Sequence, residues 1–325
     1  MPSQPDVGDV HVNGLLTNFS IAHRNAIENY IADRMFPILP SDKQSDLYAV
    51  YTRGSFFADE GQRMVRAPGT RAPTTGFGVD LTNTFHCINY AIGYEIPDEL
   101  RQNADMPLDM DRDVTNLLTD IQLIRRERAW ATDFMKTGVW GTDVTGGSNF
   151  TKWSDYAASD PFTDLEDAID TIESNTGRRP NRLAMGAIVW RRLKHHPDFI
   201  DRIKGGATAG QPAQVTKEML ARLLEIDEVV VGRASYRSSD EGATLTLARI
   251  LDDDALLTFS PNTPSLLTPS AGITFFWRPL TGGDIQYMRR GRVDREKYDW
   301  IEGHSYIAHK LTEAQSGYFF ADAVD

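Results

Sequence analysis

The chain has 325 residues, of which 41% are hydrophobic, 10% aromatic and 25% charged. This composition is that of an ordinary globular protein and excludes the fibrous and disordered classes, and the length allows two or three domains. The longest apolar stretches, such as Ile273–Trp277, are far shorter than the ~20 residues of a membrane helix. No basic segment followed by an apolar run begins the chain. The sequence therefore predicts neither a signal peptide nor a membrane span.

The charge balance is acidic, with a formal net charge of -12. A dedicated nucleic-acid reader usually carries a basic face, so this balance argues against that class. Of the 34 basic residues, eight are lysines and the other 26 are arginines, the side chain that pairs bidentately across protein interfaces. The single cysteine, Cys87, excludes an intrachain disulfide and fits folding in a reducing cytoplasm.

The first fifty residues contain one predicted helix, Ser20–Phe36. Ser20 is its N-cap, and apolar residues recur along one face. The polar, proline-containing stretch PILPSDKQSD follows and is typical of an arm rather than of a core element.

The next segment, Tyr51–Pro97, predicts a long two-stranded hairpin. Its middle has glycine or proline every few residues, and its second flank alternates like a strand through Phe77, Val79 and Leu81. An isolated hairpin is only marginally stable in water. A long hairpin outside the core is therefore expected to gain support from another subunit.

The strongest helical pattern in the chain covers Pro107–Gly138. Apolar residues follow the helical period, aspartates lie at the start, arginines lie toward the end, and Gly138 is a natural stop. At about 1.5 Å per residue such a helix would span some 40–45 Å, which is typical of a structural spine.

The chain then becomes a regular alternation of helices and strands. One helix is predicted with Asp160 as N-cap and Pro161 at its first position, and it ends at Gly177. The elements that follow are, in order, the strand RPNRLAMG, the helix AIVWRRLKHH ended by Pro197, the helix TKEMLARLLEI capped by Thr216, and the strands DEVVVGRASY and ALLTFSPN. The C-terminal tail is predicted to hold short strands and a basic turn, MRRGRVDRE.

The adjacent pair His195 and His196, with Asp198 and Asp201 close by, has the residue types of a metal site. Neighbours on a helix point about 100° apart, however, and metal ligands usually recur at i, i+3 or i, i+4. A histidine at a helix C-terminus is a routine dipole partner. We interpret the pair as the end of a surface helix and predict no metal, no cofactor and no catalytic residue.

Other candidate chemistry is weak. The run LDDDALL (251–257) lacks the spacing of a calcium loop and reads as a polar turn before a strand. Cys87 and its neighbour His86 would face opposite sides of a strand, so they would not form a nucleophile and base. The sequence has no P-loop, GxGxxG, GxSxG or HExxH motif, so an enzyme is only a residual interpretation.

The order of these elements resembles the major capsid proteins of tailed bacteriophages, which share the Hong Kong 97-type fold. The most specific stretch is residues 160–234, with its TGRRPN turn, the helix carrying VWRRLKHHP and the DEVVVGRA strand, which is similar to the family's A domain. The predicted hairpin is similar to the family's E-loop, the 107–138 helix to its spine, and the tail to its return strands.

The resemblance implies an α+β capsid fold with five segments. They are an N-terminal arm (1–50), an extended E-loop hairpin (51–97), a P domain with a long spine helix (98–150), an α/β A domain (151–261) and return strands of the P domain (262–325). The implied function is a self-assembling shell of pentamers and hexamers around double-stranded DNA, assembled in the host cytoplasm and found in the virion capsid. An encapsulin-like compartment shell and a soluble α/β enzyme are the alternatives.

Two departures from the family shape the expected partners. The arm leads almost directly into the hairpin, so a separate scaffolding protein is expected, beside a portal protein, a decoration protein and packaged DNA contacted without sequence specificity. Residues 51–97 contain no lysine, which closes the family's lysine–asparagine cross-link. The hairpin instead carries four arginines expected to contact a neighbouring subunit: Arg53, Arg63, Arg66 and Arg71.

Overall fold

The structure is a computed structural model that describes residues 25–59, 61–104, 109–204, 215–240, 242–263, 268–281 and 284–325. Within these ranges the α-helices are α1 (Ala32–Met35), α2 (Arg53–Phe56), α3 (Asp98–Asn103), α4 (Met110–Phe134), α5 (Pro161–Thr176), α6 (Ala187–Leu193), α7 (Pro197–Lys204), α8 (Lys217–Leu223) and α9 (Arg278–Thr281). Single 3₁₀ turns lie at Ile27–Asn29, Gly61–Met64 and Ala314–Ser316. None of the helices in the described part is both long and apolar enough to cross a membrane.

The strands of the described residues form two five-stranded sheets and three two-stranded ladders. They are β1 (Ile38–Ser41), β2 (Ser45–Leu47), β3 (Val50–Tyr51), β4 (Val79–Asp80), β5 (Thr84–His86), β6 (Ile88–Pro97), β7 (Thr142–Thr145), β8 (Arg182–Gly186), β9 (Glu228–Gly232), β10 (Ser235–Arg237), β11 (Leu247–Arg249), β12 (Ala255–Thr258), β13 (Gly272–Trp277), β14 (Gln286–Val293), β15 (Tyr298–Leu311) and β16 (Gly317–Ala321).

The first sheet has the order β7-β16-β12-β8-β9 and is buried on both faces. Successive side chains of a strand point to opposite faces. Along β8, Leu183 and Met185 therefore join a core with helices α5 to α8, whereas Ala184 joins a second core with α1 and α4. On strand β12, Leu257 likewise joins the first core and Leu256 the second. Such two-sided burial explains why these strands read as continuous apolar runs.

The second sheet is built around the 14-residue strand β15. One edge of β15 pairs with β6. The other edge pairs with β14 along residues 298–305 and with β13 along residues 307–311. Strand β1 joins β13 in parallel and ties the segment before the hairpin to this sheet. Helix α4 lies against β15 and β6, where Val114 and Leu118 pack on Ile96 and Ile301.

Helix α4 confirms the predicted spine. Asp109 is its N-cap and accepts a hydrogen bond from the backbone N–H of Arg112 at 3.2 Å. The 25 residues span about 38 Å. The observed helix ends at Phe134, earlier than the predicted end at Gly138. The ring of Phe134 is buried there against Phe36 and Trp140.

The predicted helix Ser20–Phe36 is wrong in the part that can be compared, since residues 20–24 lie outside the described ranges. From Asn25 the chain forms a 3₁₀ turn, then an extended residue at Tyr30, and then the four-residue helix α1. The amphipathic pattern was read as one helix, but buried Glu127 accepts the N–H groups of Ile31 and Ala32 and starts a new helix there. A tertiary contact overrides the local pattern.

The hairpin starts earlier and ends earlier than the predicted range of 51–97. Its limbs pair as β2 with β5 and β3 with β4, and the tip covers residues 52–78. Strand β6 belongs to the second sheet instead. The predicted boundaries at 150 and 262 also differ from the sheets, because β7 and β16 both lie in the first sheet beside β8, β9 and β12.

Candidate assembly interface

The hairpin carries a concentration of exposed apolar side chains. Tyr51, Phe56 and Phe77 form an aromatic cluster, with ring centroids 5.8 Å, 5.8 Å and 6.4 Å apart. Phe56 and Phe77 nevertheless remain 55% and 65% exposed. Other large apolar side chains exposed on the hairpin are Leu47, Phe57, Met64, Val65 and Leu81. A contiguous exposed apolar patch marks an interaction site rather than an ordinary surface.

The first residues of the hairpin tip rest on the C-terminal end of α5. The Arg53 Nη1 group donates to the carbonyl oxygen of Asn175 at 2.8 Å. The Phe57 ring lies over Gly177, where an added Cβ would come within 3.1 Å of it. Gly177 has φ 64°, so the residue that ends α5 in the left-handed region also leaves room for the ring. The hairpin is thus oriented by its own chain while its tip remains exposed.

The four predicted contact arginines are placed differently from one another. Arg53 bonds within its own chain, as described above. Arg66 and Arg71 are exposed on the tip. The side chain of Arg63 lies outside the described part. The sequence analysis missed the exposed aromatic cluster, although the letters GSFF within a glycine-rich segment were a signal for it.

An ion-pair network holds the far end of the second sheet to helices α3 and α4. Arg292 bonds Asp98 at 2.7 Å and Asp299 at 3.1 Å. Arg101 bonds Asp111 at 2.6 Å and also Asp299. Hydrogen bonds from these guanidinium groups lower the pKa of Asp98 and of Asp299. Each guanidinium group of the network is paired with carboxylates of the same network. We therefore interpret the network as structural.

The histidine pair does not end a surface helix as predicted. His195 is exposed, but His196 is fully buried against Tyr156 and Phe199. Pro197 begins helix α7, and His196 Nδ1 accepts the Asp198 backbone N–H at 3.3 Å, so His196 caps the start of α7.

The bonds of His196 define its protonation. Since Nδ1 accepts, Nε2 carries the proton and donates to Ser159 Oγ at 3.0 Å. Burial lowers the pKa of His196, partly opposed by the Asp198 carboxylate. A neutral, fully packed imidazole is a structural group. Within the described residues no group of three or more His, Cys, Asp or Glu side chains could hold a metal ion.

The remaining polar candidates are also structural. Burial raises the pKa of the Cys87 thiol to about 11, so it stays protonated and unreactive. Asp254, at the end of the LDDDALL turn, accepts the Asp322 backbone N–H at 3.0 Å. Burial, opposed by that bond, raises its pKa to about 6. The turn thereby fastens β16 beside β12.

In the part of the chain that the structure describes, the candidate residues thus form exposed apolar and charged surfaces and no cluster of catalytic groups. Comparison with known proteins identifies the family. The family model described as phage major capsid protein E matches residues 144–306, half of the chain. The chain belongs to that family. It is a phage major capsid protein, a structural subunit that forms the icosahedral head shell with other copies of itself, and it is not an enzyme. Its location is the virion capsid.

Curated relatives of the capsid protein carry the same description. The major capsid protein of Burkholderia phage BcepMu is 25% identical over 246 residues, which cover 74% of this chain and 76% of the relative. The major capsid protein of Pseudomonas phage JBD67 is 24% identical over 311 residues, covering 95% and 96%.

Solved structures show the fold. A phage-related protein of Bordetella bronchiseptica RB50 has a TM-score of 0.66 at 23% identity, covering 92% of this chain and 93% of the other. The capsid of cyanophage P-SCSP1u has a TM-score of 0.65 at 14% identity, covering 99% and 96%. The SrpI encapsulin of Synechococcus elongatus PCC 7942 has a TM-score of 0.55 at 11% identity, covering 99% of this chain and 96% of the other. That similarity is one of fold alone. The α+β capsid fold expected from the sequence is confirmed.

Proposed function

We propose that the capsid protein assembles into pentamers and hexamers around double-stranded DNA, with the hairpin of each subunit seated on a neighbour. The observation that carries this proposal is the aromatic cluster of Tyr51, Phe56 and Phe77, which stays half-exposed although its base is fixed by Asn175 and Gly177. A tip that is oriented but not covered by its own chain fits a surface supplied by another copy.

The named segments of the capsid fold are part of the same proposal. We assign the chain up to about residue 44 to the N-terminal arm, residues 45–86 to the E-loop, and α4 with the second sheet to the P domain. The first sheet with α5 to α8 is the A domain. These limits follow strand pairing rather than chain order, so β7 and β16 are assigned to the A domain.

The arginines of the tip are proposed to fix the register of that contact. Arg63, Arg66 and Arg71 would pair with acidic groups of the neighbour, which belongs to a chain of net charge -12. Arg53 uses one N–H group on Asn175 and keeps four others for a neighbour. A single exposed pair is worth only ~0–1 kcal/mol, so the contribution comes from repetition over many copies.

The other partners are proposed from the family resemblance. They are a separate scaffolding protein, a portal protein, a decoration protein, and packaged DNA that the shell contacts without reading its sequence. An acidic shell protein suits that last role, because it encloses DNA without binding it tightly through a broad basic face.

The test is reversal of all four arginines to Glu, with the four Arg→Lys changes as the matched control. We expect the Glu variant to remain a folded subunit by circular dichroism and to form no closed particles by electron microscopy. The Lys variant keeps the charge and should form shells. Normal particles from the Glu variant would contradict the contact. A wild-type protein that stays monomeric under all assembly conditions would contradict the proposed oligomers.

A further inference from the structure

Three exposed arginines meet at one cavity of the first sheet, away from the hairpin. The cavity has a volume of about 260 Å³ and is lined by Ala187, Arg191, Arg233, Ser235 and Arg249. None of the three arginines has an ion-pair or side-chain hydrogen-bond partner within the described residues. In a chain with 46 acidic and 34 basic residues, three unpartnered guanidinium groups around one cavity need an explanation.

The fold itself gathers these residues. Strands β8 and β9 are parallel, with Gly186 beside Gly232 at their carboxyl ends. In open α/β sheets ligands bind in the crevice beyond such ends. Arg233 leaves β9 at this edge, and Arg191 lies one helical turn after Ala187 on α6. Their convergence therefore follows from the sheet order and from the short connection 233–234 between β9 and β10, which holds Arg233.

The third arginine is brought in by a separate ladder. Strands β10 and β11 are antiparallel and place Arg249 directly opposite Ser235. The rim is fixed further by Asn25, whose side chain donates to the Ser235 carbonyl at 2.8 Å and accepts the Ser235 N–H at 3.2 Å. Three segments that are distant in sequence thus hold the arginines around the cavity.

We propose that this cavity, the Arg191–Arg233–Arg249 site, binds a phosphate group. The guanidinium fork matches the oxygen atoms of an oxyanion, and Ser235 adds a hydroxyl donor. The cavity of about 260 Å³ has room for a phosphate group, and its lining offers polar contacts to that group alone.

The lining also indicates which parts of a nucleotide the site would not recognise. It contains no aromatic ring, so no base would stack there, and no acidic side chain that would repel an anion. Phosphate is favoured over a single carboxylate because it offers more oxygen atoms and more negative charge to three cations. The site would therefore hold phosphate without regard to nucleotide sequence.

The phosphate could come from the backbone of nucleic acid or from free phosphate, and only the first source rests on the proposed packaging of DNA. The experiment uses the full-length dissociated subunit with the variant R191Q/R233Q/R249Q. The matched control is R289Q/R290Q/R295Q, which removes the same charge from three exposed arginines on and beside β14. Inorganic phosphate binding is measured by calorimetry at constant ionic strength, and binding of a labelled DNA duplex is measured as a function of salt.

We expect phosphate to bind the wild type and the control equally and the triple site variant at least tenfold more weakly. If DNA supplies the phosphate, the slope of log affinity against log salt should fall by up to about 3 in the site variant alone. An unchanged slope with lost phosphate binding would support the site and identify free phosphate as its source.

Equal phosphate binding by all three proteins, with equal salt slopes, would overturn the proposal. It would also be overturned if the site variant lost only shell assembly, since the arginines would then meet a neighbour's carboxylates. A second variant, R191K/R233K/R249K, guards against misfolding of the Gln variant. It keeps the charge but lacks the fork, and should bind phosphate about threefold more weakly. Because this readout needs no assembly, failure of the proposed shell contacts would be seen separately.

Discussion

Glu127 offers a sharp test of how the N-terminal arm is held to the spine helix. This carboxyl on α4 is 1% exposed and accepts the backbone N–H groups of Ile31 at 3.0 Å and Ala32 at 2.9 Å. Burial raises its pKa to about 7, with the two N–H bonds opposing the rise. The nearby charges are Asp33, which raises the pKa, and Arg126, which lowers it and is paired with Asp33 at 2.5 Å.

The sign of the pH dependence follows from that shift. Between about pH 4.5 and about pH 7 the folded state holds this proton more often than the unfolded state does, so the free energy of unfolding falls as pH rises. At 1.36 kcal/mol for each unit of pKa, the loss is about 3 kcal/mol by pH 8. Glu127→Gln is neutral at every pH and gives up one acceptor oxygen, a loss of about 1 kcal/mol.

We therefore expect Glu127→Gln to be about as stable as the wild type near pH 5, where the wild type has already lost about 1 kcal/mol, and more stable by about 2 kcal/mol near pH 8. Urea unfolding of the dissociated subunit at the two pH values measures the difference, in which titrating groups distant from Glu127 cancel and the neighbouring Asp33 does not. Glu166→Gln, at an exposed position on α5, is the control for the same chemical change outside the buried contact. The reasoning would be refuted if the free energy of unfolding of the wild type rose relative to that of the Gln variant as pH rises. Glu127 would then be an ordinary carboxylate that the fold stabilises in its charged form.

Three further outcomes are expected. Mature particles boiled with detergent and reductant should give a single band at 36.4 kDa on a denaturing gel, since residues 51–97 lack lysine and Cys87 is buried; a ladder of multimers would contradict this. His195→Ala should change stability by less than about 0.5 kcal/mol, whereas His196→Ala should cost about 2–4 kcal/mol through a lost cap and a cavity, measured by urea unfolding; equal effects would count against the buried placement. Gly186→Ala should prevent folding, because its Cβ would lie 1.8 Å from the Asp252 carbonyl oxygen; a soluble, fully stable variant would refute that packing.

The α/β part of the fold could be predicted from sequence because its signals are local. Asp160, Gly177 and Thr216 mark helix ends by hydrogen bonds and backbone conformations that short segments decide. The apolar runs of β8 and β9 likewise report burial on both faces. These elements lie where the pattern predicts them.

The misplaced elements depend on contacts between distant residues. The break at Tyr30 is caused by Glu127, 96 residues away from Ile31, and no local pattern reveals it. His196 was read as a helix end because Pro197 follows it, yet Pro197 starts the next helix and Ser159 completes the contact. The Arg191–Arg233–Arg249 site was invisible for the same reason, since sheet order brings its members together.

The hairpin indicates which interaction would hold the shell if, as predicted, it has no covalent links. Fully burying a phenylalanine is worth roughly 1.5–3 kcal/mol, so covering the exposed parts of Phe56, Phe57 and Phe77 would contribute roughly 3–5 kcal/mol for each hairpin. An exposed ion pair contributes ~0–1 kcal/mol and weakens with salt. In the proposed contact the apolar tip would therefore supply most of the free energy, and the arginines would supply register. Because apolar burial is not screened by salt, assembled shells should withstand ionic strength that abolishes the arginine pairs.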